Sequence, residues 1–132
     1  MGVTYLLDTH VVVWLVGQGP RPKPSVLRRL EAPDSRVVVS AVSAYELGSK
    51  VRLGKLDSAT ALMDSWRANI RRLGAVELDL SHEHALRAVS LDWPHRDPFD
   101  RLLVAQALTD DLTLVTADKV VAKAPQLRVL PW

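Results

Sequence analysis

Five acidic residues stand where chemistry could use them. Asp8 separates two apolar runs, "VTYLL" and "VVVWLV", with no turn residue between them. Glu46 follows "SAVSAY", Asp97 and Asp100 bracket the "PF" of "DPFD", and Asp118 closes "LVTAD". Gathered in one place, such carboxylates repel one another by about 4 kcal/mol per pair at ~4 Å and an effective dielectric near 20. A cation makes the cluster tolerable. With oxygen ligands only, no cysteine, and no histidine at ligand spacing, the expected ion is Mg²⁺ or Mn²⁺. An ion held this way binds phosphate oxygens and orients or deprotonates a water for in-line attack.

Each acid also has a local reading. Asp8 suits the N-cap of a helix starting at Thr9. Glu46 sits three residues after Ser43, the spacing of a capping box. Asp97 could cap a helix opened by Pro98, Asp100 could favour the dipole of its first turn, and Asp118 could close a turn. What favours the shared reading is the elements that must position these acids. Strand-like runs occupy Val3–Leu7, Arg36–Ser40, Val76–Leu78, Thr113–Val115 and Leu127–Leu130. Helical patterns lie between them, clearest over Ser58–Leu73 and Pro98–Asp110, and "GPRPKP" is a loop leading into a short helix from about Ser25. Alternating strands and helices imply an α/β fold: a central, mostly parallel sheet of about five strands covered by helices on both faces. Asp8, Glu46, the Asp97–Asp100 pair and Asp118 each follow a different strand, so they should converge at one sheet edge, where ligands gather in such folds.

The chain of 132 residues is read as a single domain, with 48% hydrophobic and 24% charged residues. Its longest apolar run, Val11 to Val16, is well short of the ~20 residues of a membrane helix. Asp8 and His10, with no basic residue before them, do not suit a secretory leader, and the expected location is cytoplasmic. Net charge is only +2, but "RPKPSVLRR", "SKVRLGK" and "WRANIRR" are locally basic, either as solvated faces or as contacts for a polyanion. Metal-dependent phosphoryl chemistry on a phosphodiester is as far as the residues alone lead.

"LLDTHVVVWL", "VSAVSAYELGSKVRLGKL", "HRDPFDRLLVAQA" and "LTLVTAD" together resemble the PIN-domain ribonucleases, specifically VapC-type toxins of bacterial toxin–antitoxin pairs, over nearly the whole chain. The resemblance implies a PIN-like α/β fold and a Mg²⁺- or Mn²⁺-dependent endoribonuclease acting on structured RNA such as tRNA. It assigns the metal-binding acids to Asp8, Glu46, Asp100 and Asp118, with Asp97 an additional acid one helical turn before Asp100. Thr9 and Thr116 match positions where the family places a hydroxyl beside the acids. It also implies a VapB-type antitoxin and a homodimer. Val11–Val16 and the tryptophans Trp14, Trp66, Trp93 and Trp132 are candidates for those contacts or for the core.

Cations must flank the acids if RNA is to approach, and Lys50, Arg52, Lys55, Arg96 and Arg101 are the candidates. Lys50 is equally placed for an i,i+4 pair with Glu46. His82 and His84, two apart, share no helical face, and His95 is read as a surface or packing residue. A haloacid-dehalogenase-type phosphatase would need an aspartate where His10 stands, which excludes it. A catalytically inactive PIN module that only binds RNA or protein would leave gaps among the acids, whereas every expected position is filled.

Overall fold

A computed structural model describes residues 2–17 and 19–132. Its centre is a five-stranded, wholly parallel sheet of strands β1 (Thr4–Leu7), β2 (Arg36–Ser40), β3 (Val76–Leu78), β4 (Thr113–Thr116) and β5 (Val129–Pro131), in the order β3-β2-β1-β4-β5. The helices are α1 (Thr9–Val16), α2 (Pro24–Leu30), α3 (Ala41–Arg52), α4 (Thr60–Asp64), α5 (Trp66–Arg72), α6 (His82–Ser90) and α7 (Pro98–Thr109). The expected α/β architecture is therefore the one observed.

Strand alternation divides the core into two layers. Leu6, Val38 and Leu114 point to the face covered by Leu103, Val104 and Ala107 of α7. Leu7, Val39 and Val115 point the other way, to Val11 and Val12 of α1, Leu47 of α3 and Ile70 of α5. Central strands buried on both faces must be apolar throughout, which is why β1 reads as a continuous hydrophobic run. β5 is an edge strand and ends in Pro131, a residue that edges tolerate.

Three expectations need correction. The helix expected over Ser58–Leu73 is broken: a 3₁₀ turn at Asp57–Ala59 precedes α4, and Ser65 leaves helical geometry (φ −132°, ψ 45°) before α5 begins. The break lets Leu62 and Ile70 both reach the core, while the Trp66 indole Nε1 donates to Glu77 at 3.0 Å. β5 starts two residues later than the strand expected from Leu127, and β4 runs one residue further, to Thr116. The four tryptophans, candidates for partner contacts or for the core, are each partly buried and pack against one of the two core layers. Among the described residues, no helix is long and apolar enough to cross a membrane.

Candidate active site

Reversal of strand order on either side of β1 leaves a crevice beyond the carboxyl ends of β1 and β4, the usual ligand position in open parallel sheets. Asp8 stands at that point. It caps α1, with Oδ1 accepting from the Thr9 amide at 2.8 Å, and Oδ2 accepts from the Thr116 hydroxyl at 2.6 Å across the crevice. Capping and a place in the site are thus the same geometry. Only 5% of Asp8 is exposed. Burial raises its pKa above the usual carboxylate range, and the Glu46 charge adds to this, while Thr116, Thr9 and His10 oppose it.

Glu46 is also buried, one turn into α3, and its Oε2 accepts from Lys50 Nζ at 2.7 Å. The Thr9 and Ser43 hydroxyls bond at 2.9 Å and tie α1 to α3 beneath the acids. Capping of α3 falls to Ser40, whose Oγ accepts from the Val42 amide at 2.9 Å and donates to the buried Gln106 Oε1 at 2.6 Å. That pair locks the start of α3 to the middle of α7.

The head of α7 carries the remaining acids. Exposed Asp97 is its N-cap, with Oδ1 accepting from the Phe99 and Asp100 amides at 2.9 and 3.1 Å. Asp100 is mostly buried, and burial pushes its pKa up to about 6. The charges of Asp97 and Asp8 act in the same direction, against a hydrogen bond of 2.6 Å to His95 Nε2. His95 is therefore not a mere surface or packing residue, and this correction has a visible source: a histidine five residues before Asp100, with Pro98 and a capping aspartate between, is aimed back at the helix start.

Asp118 is placed differently. It is exposed, and its Oδ1 accepts from the Val120 and Val121 amides at 2.8 and 3.2 Å, closing the turn after β4. Its own amide donates to Thr116 Oγ1 at 3.0 Å, so Thr116 links it to Asp8 indirectly. Among the described residues, no three of the His, Cys, Asp and Glu side chains stand together closely enough to hold one ion. The expected cage of four carboxylates is not formed. The structure brings Asp8 into the fields of Glu46 and Asp100, sets Asp97 in the field of Asp100, and leaves Asp118 turned to the backbone. This donor set still fits a hard divalent cation. It is all oxygen and like-charged, burial raises the pKa of Asp8 and of Asp100, and Mg²⁺ asks for only one or two carboxylates beside its waters.

Of the cations, Arg52, Lys55 and Arg96 are exposed. Lys50 is engaged with Glu46. Arg101 was expected to face RNA, and here the expectation fails. Its guanidinium donates instead to the carbonyls of Ala88, Val89, Leu91, Trp93 and His95. His84 serves the fold: it completes a capping box with Ser81 at the start of α6 and meets Asp110 at 3.0 Å.

The fold is thus a parallel α/β sheet with the buried acids Asp8 and Glu46 close to its switch point. The chain belongs to the PIN-domain family, whose profile matches residues 5–127. Among solved structures it is similar to VapBC2 from Rickettsia felis bound to a promoter DNA fragment (21% identity, TM-score 0.74, covering 98% of this chain and 99% of that one). It is similar also to VapBC-1 from nontypeable Haemophilus influenzae (22%, 0.70, 98% of each chain). A third is DNA-bound VapBC from Salmonella typhimurium (18%, 0.69, 98% of each). No curated protein matches the sequence.

Proposed function

We propose that this protein is a Mg²⁺- or Mn²⁺-dependent endoribonuclease, the toxin of a toxin–antitoxin pair, cutting structured RNA such as tRNA in the cytoplasm. The observation that carries the reading is the buried Asp8, bridged to Thr116 across the switch point and set in the fields of Glu46 and Asp100. Asp8 and Asp100, with Glu46, would hold the ion; Asp97 is a candidate to join through water. When bound, such an ion neutralises a phosphodiester and lowers the pKa of a water. The protein's part is orientation. Thr116 and the Thr9 amide fix both oxygens of Asp8, the Thr9–Ser43 hydroxyl pair fixes α3 against α1, and His95 fixes one oxygen of Asp100.

The solved structures that this chain resembles are VapBC assemblies, two of them on DNA, which supports a VapB-type antitoxin as partner. A homodimer of the chain fits the same reading. Two observations favour a catalytically inactive, binding-only module: the exposed turn role of Asp118, and the lack, among the described residues, of three acids close enough to hold one ion. Incubating the purified chain with folded tRNA in Mg²⁺, and again in excess chelator, separates the two. The nuclease reading expects internal cuts that chelation stops and the cognate antitoxin suppresses; intact RNA with retained binding would establish the binding module.

A further inference from the structure

α6 ends without the left-handed cap common at helix ends. No glycine follows Ser90, and Leu91 at the C-cap is extended (φ −59°, ψ 127°) rather than left-handed, so the last carbonyls of α6 have no main-chain partner of the usual kind. The run that follows, "LDWPHRD", contains no regular structure and carries His95 and Asp97 to the head of α7. Ser90 Oγ donates to Arg87 O at 3.1 Å and the Trp93 amide to Leu91 O at 2.9 Å, and beyond these one side chain serves most of the rest. Arg101 Nε donates to Ala88 O at 2.9 Å, Nη1 to Trp93 O at 2.7 Å and His95 O at 3.0 Å, and Nη2 to Leu91 O at 2.8 Å and Val89 O at 3.4 Å. These take up the whole fork of a guanidinium, a planar set of donors that an ammonium cannot reproduce. Arg101 also directly follows Asp100 in α7, so the same residue that grips the run is rigidly attached to the acid that His95 meets at 2.6 Å. The Trp93 and His95 rings lie 4.7 Å apart and add a second constraint on the imidazole.

We propose that Arg101 is a positioning residue of the site: by clamping the carbonyls of Ala88 to His95 it fixes the run between α6 and α7, and so holds His95 on Asp100. The proposal rests on the nuclease reading for its catalytic consequence but not for the clamp itself. It also replaces the expectation of a phosphate contact for Arg101.

The conservative variant Arg101→Lys tests it, since charge is kept and the fork is lost. In metal-free protein, the His95 ring nitrogen signals in ¹⁵N NMR should lose the signature of the bond to Asp100. Mn²⁺ affinity and kcat on RNA should each fall about 10- to 100-fold, as when a partner that orients a metal ligand is removed, with KM unchanged. An altered melting temperature with His95 signals and Mn²⁺ affinity unchanged would reduce Arg101 to a helix cap and overturn the proposal. A raised KM with a salt slope shallower by roughly 0.7 would instead make it a phosphate contact and overturn it too. Should the variant not fold, the wild type decides: slowly exchanging guanidinium protons with hindered rotation support the clamp, and freely rotating ones contradict it. A wild type that binds no Mn²⁺ would sink the nuclease reading, while the His95 and guanidinium signals would still judge the clamp.

Discussion

Asp100 combines burial, a histidine partner and two like charges, and this gives it a measurable pH signature. Its folded pKa of about 6 lies above the ordinary 3.8, so folding takes up a proton between these values. The stability linked to that proton is fully present below pH 3.8 and is lost as pH rises through about 6. The difference corresponds to about 3 kcal/mol at most. Metal-free protein should therefore lose stability as pH rises from 3.8 to about 6 in denaturant titrations, and Asp100→Asn should make that slope shallower, leaving the part due to Asp8; an identical slope in the variant would contradict the assignment. Because a carboxylate must be ionised to bind a metal, Mg²⁺-dependent cleavage should rise with pH through the same interval. The two acids of α7 should also separate. Asp100→Ala should cost RNA cleavage severely, whereas Asp97→Ala should cost part of the activity and about 1 kcal/mol of stability, because Asp97 is exposed and caps α7 through two amides. An Asp100→Ala enzyme of near wild-type rate would reverse that order. At this scale the acids themselves were legible, since each follows a strand. Their partners were not. Asp118 turns to the amides of Val120 and Val121, and Arg101 to five carbonyls between Ala88 and His95, just before its helix, and spacing alone does not tell these partners from the crevice or from solvent.

Between elements, the contacts that position the site are few and buried. Ser40 ends β2, caps α3 and donates to Gln106 of α7, so a single hydroxyl joins three elements. Ser40→Ala removes the cap and leaves Gln106 Oε1 without that donor, for an expected loss of about 2–3 kcal/mol by thermal or chemical denaturation. A loss below ~0.5 kcal/mol would mean that the junction does not hold α3 to α7. The order of strands and helices could be read from sequence because apolar runs must be buried on both faces of a parallel sheet. The break at Ser65 could not, since the apolar spacing from Leu62 to Ile70 suits a helix, and what ends it is the reach of Trp66 to Glu77 and of Leu62 and Ile70 to one core layer. α6 is strongly two-sided, yet beyond the bond from Ser90 to the Arg87 carbonyl its end is held by a side chain of α7. Gln106 could be placed on a helix from its spacing; its bond to Ser40, 66 positions away, could not.

For the whole molecule, the small net charge of +2 leaves RNA affinity to local cations. Arg52 and Lys55 are exposed at the end of α3, beyond the Lys50–Glu46 pair. Arg52→Gln should make the salt dependence of RNA binding shallower by roughly 0.7 in log–log slope and lower cleavage of every RNA alike, without moving the cut. An unchanged slope would return Arg52 to the solvated surface. Lys50→Gln should act differently, because its ammonium offsets Glu46 at 2.7 Å and its loss leaves a buried carboxylate unpaired. Among the acids at the switch point, Asp8 joins the most parts of the site: the cap of α1, the bridge to Thr116 and the fields of Glu46 and Asp100. The most direct measurement is RNA cleavage in Mg²⁺ by wild type and Asp8→Asn, with circular dichroism and melting temperature recorded on the same samples. The amide keeps the shape and relieves a like-charge repulsion, so the variant should fold at least as stably and cut at least 100-fold more slowly. Cleavage at the wild-type rate by a folded Asp8→Asn protein would contradict the account at its centre.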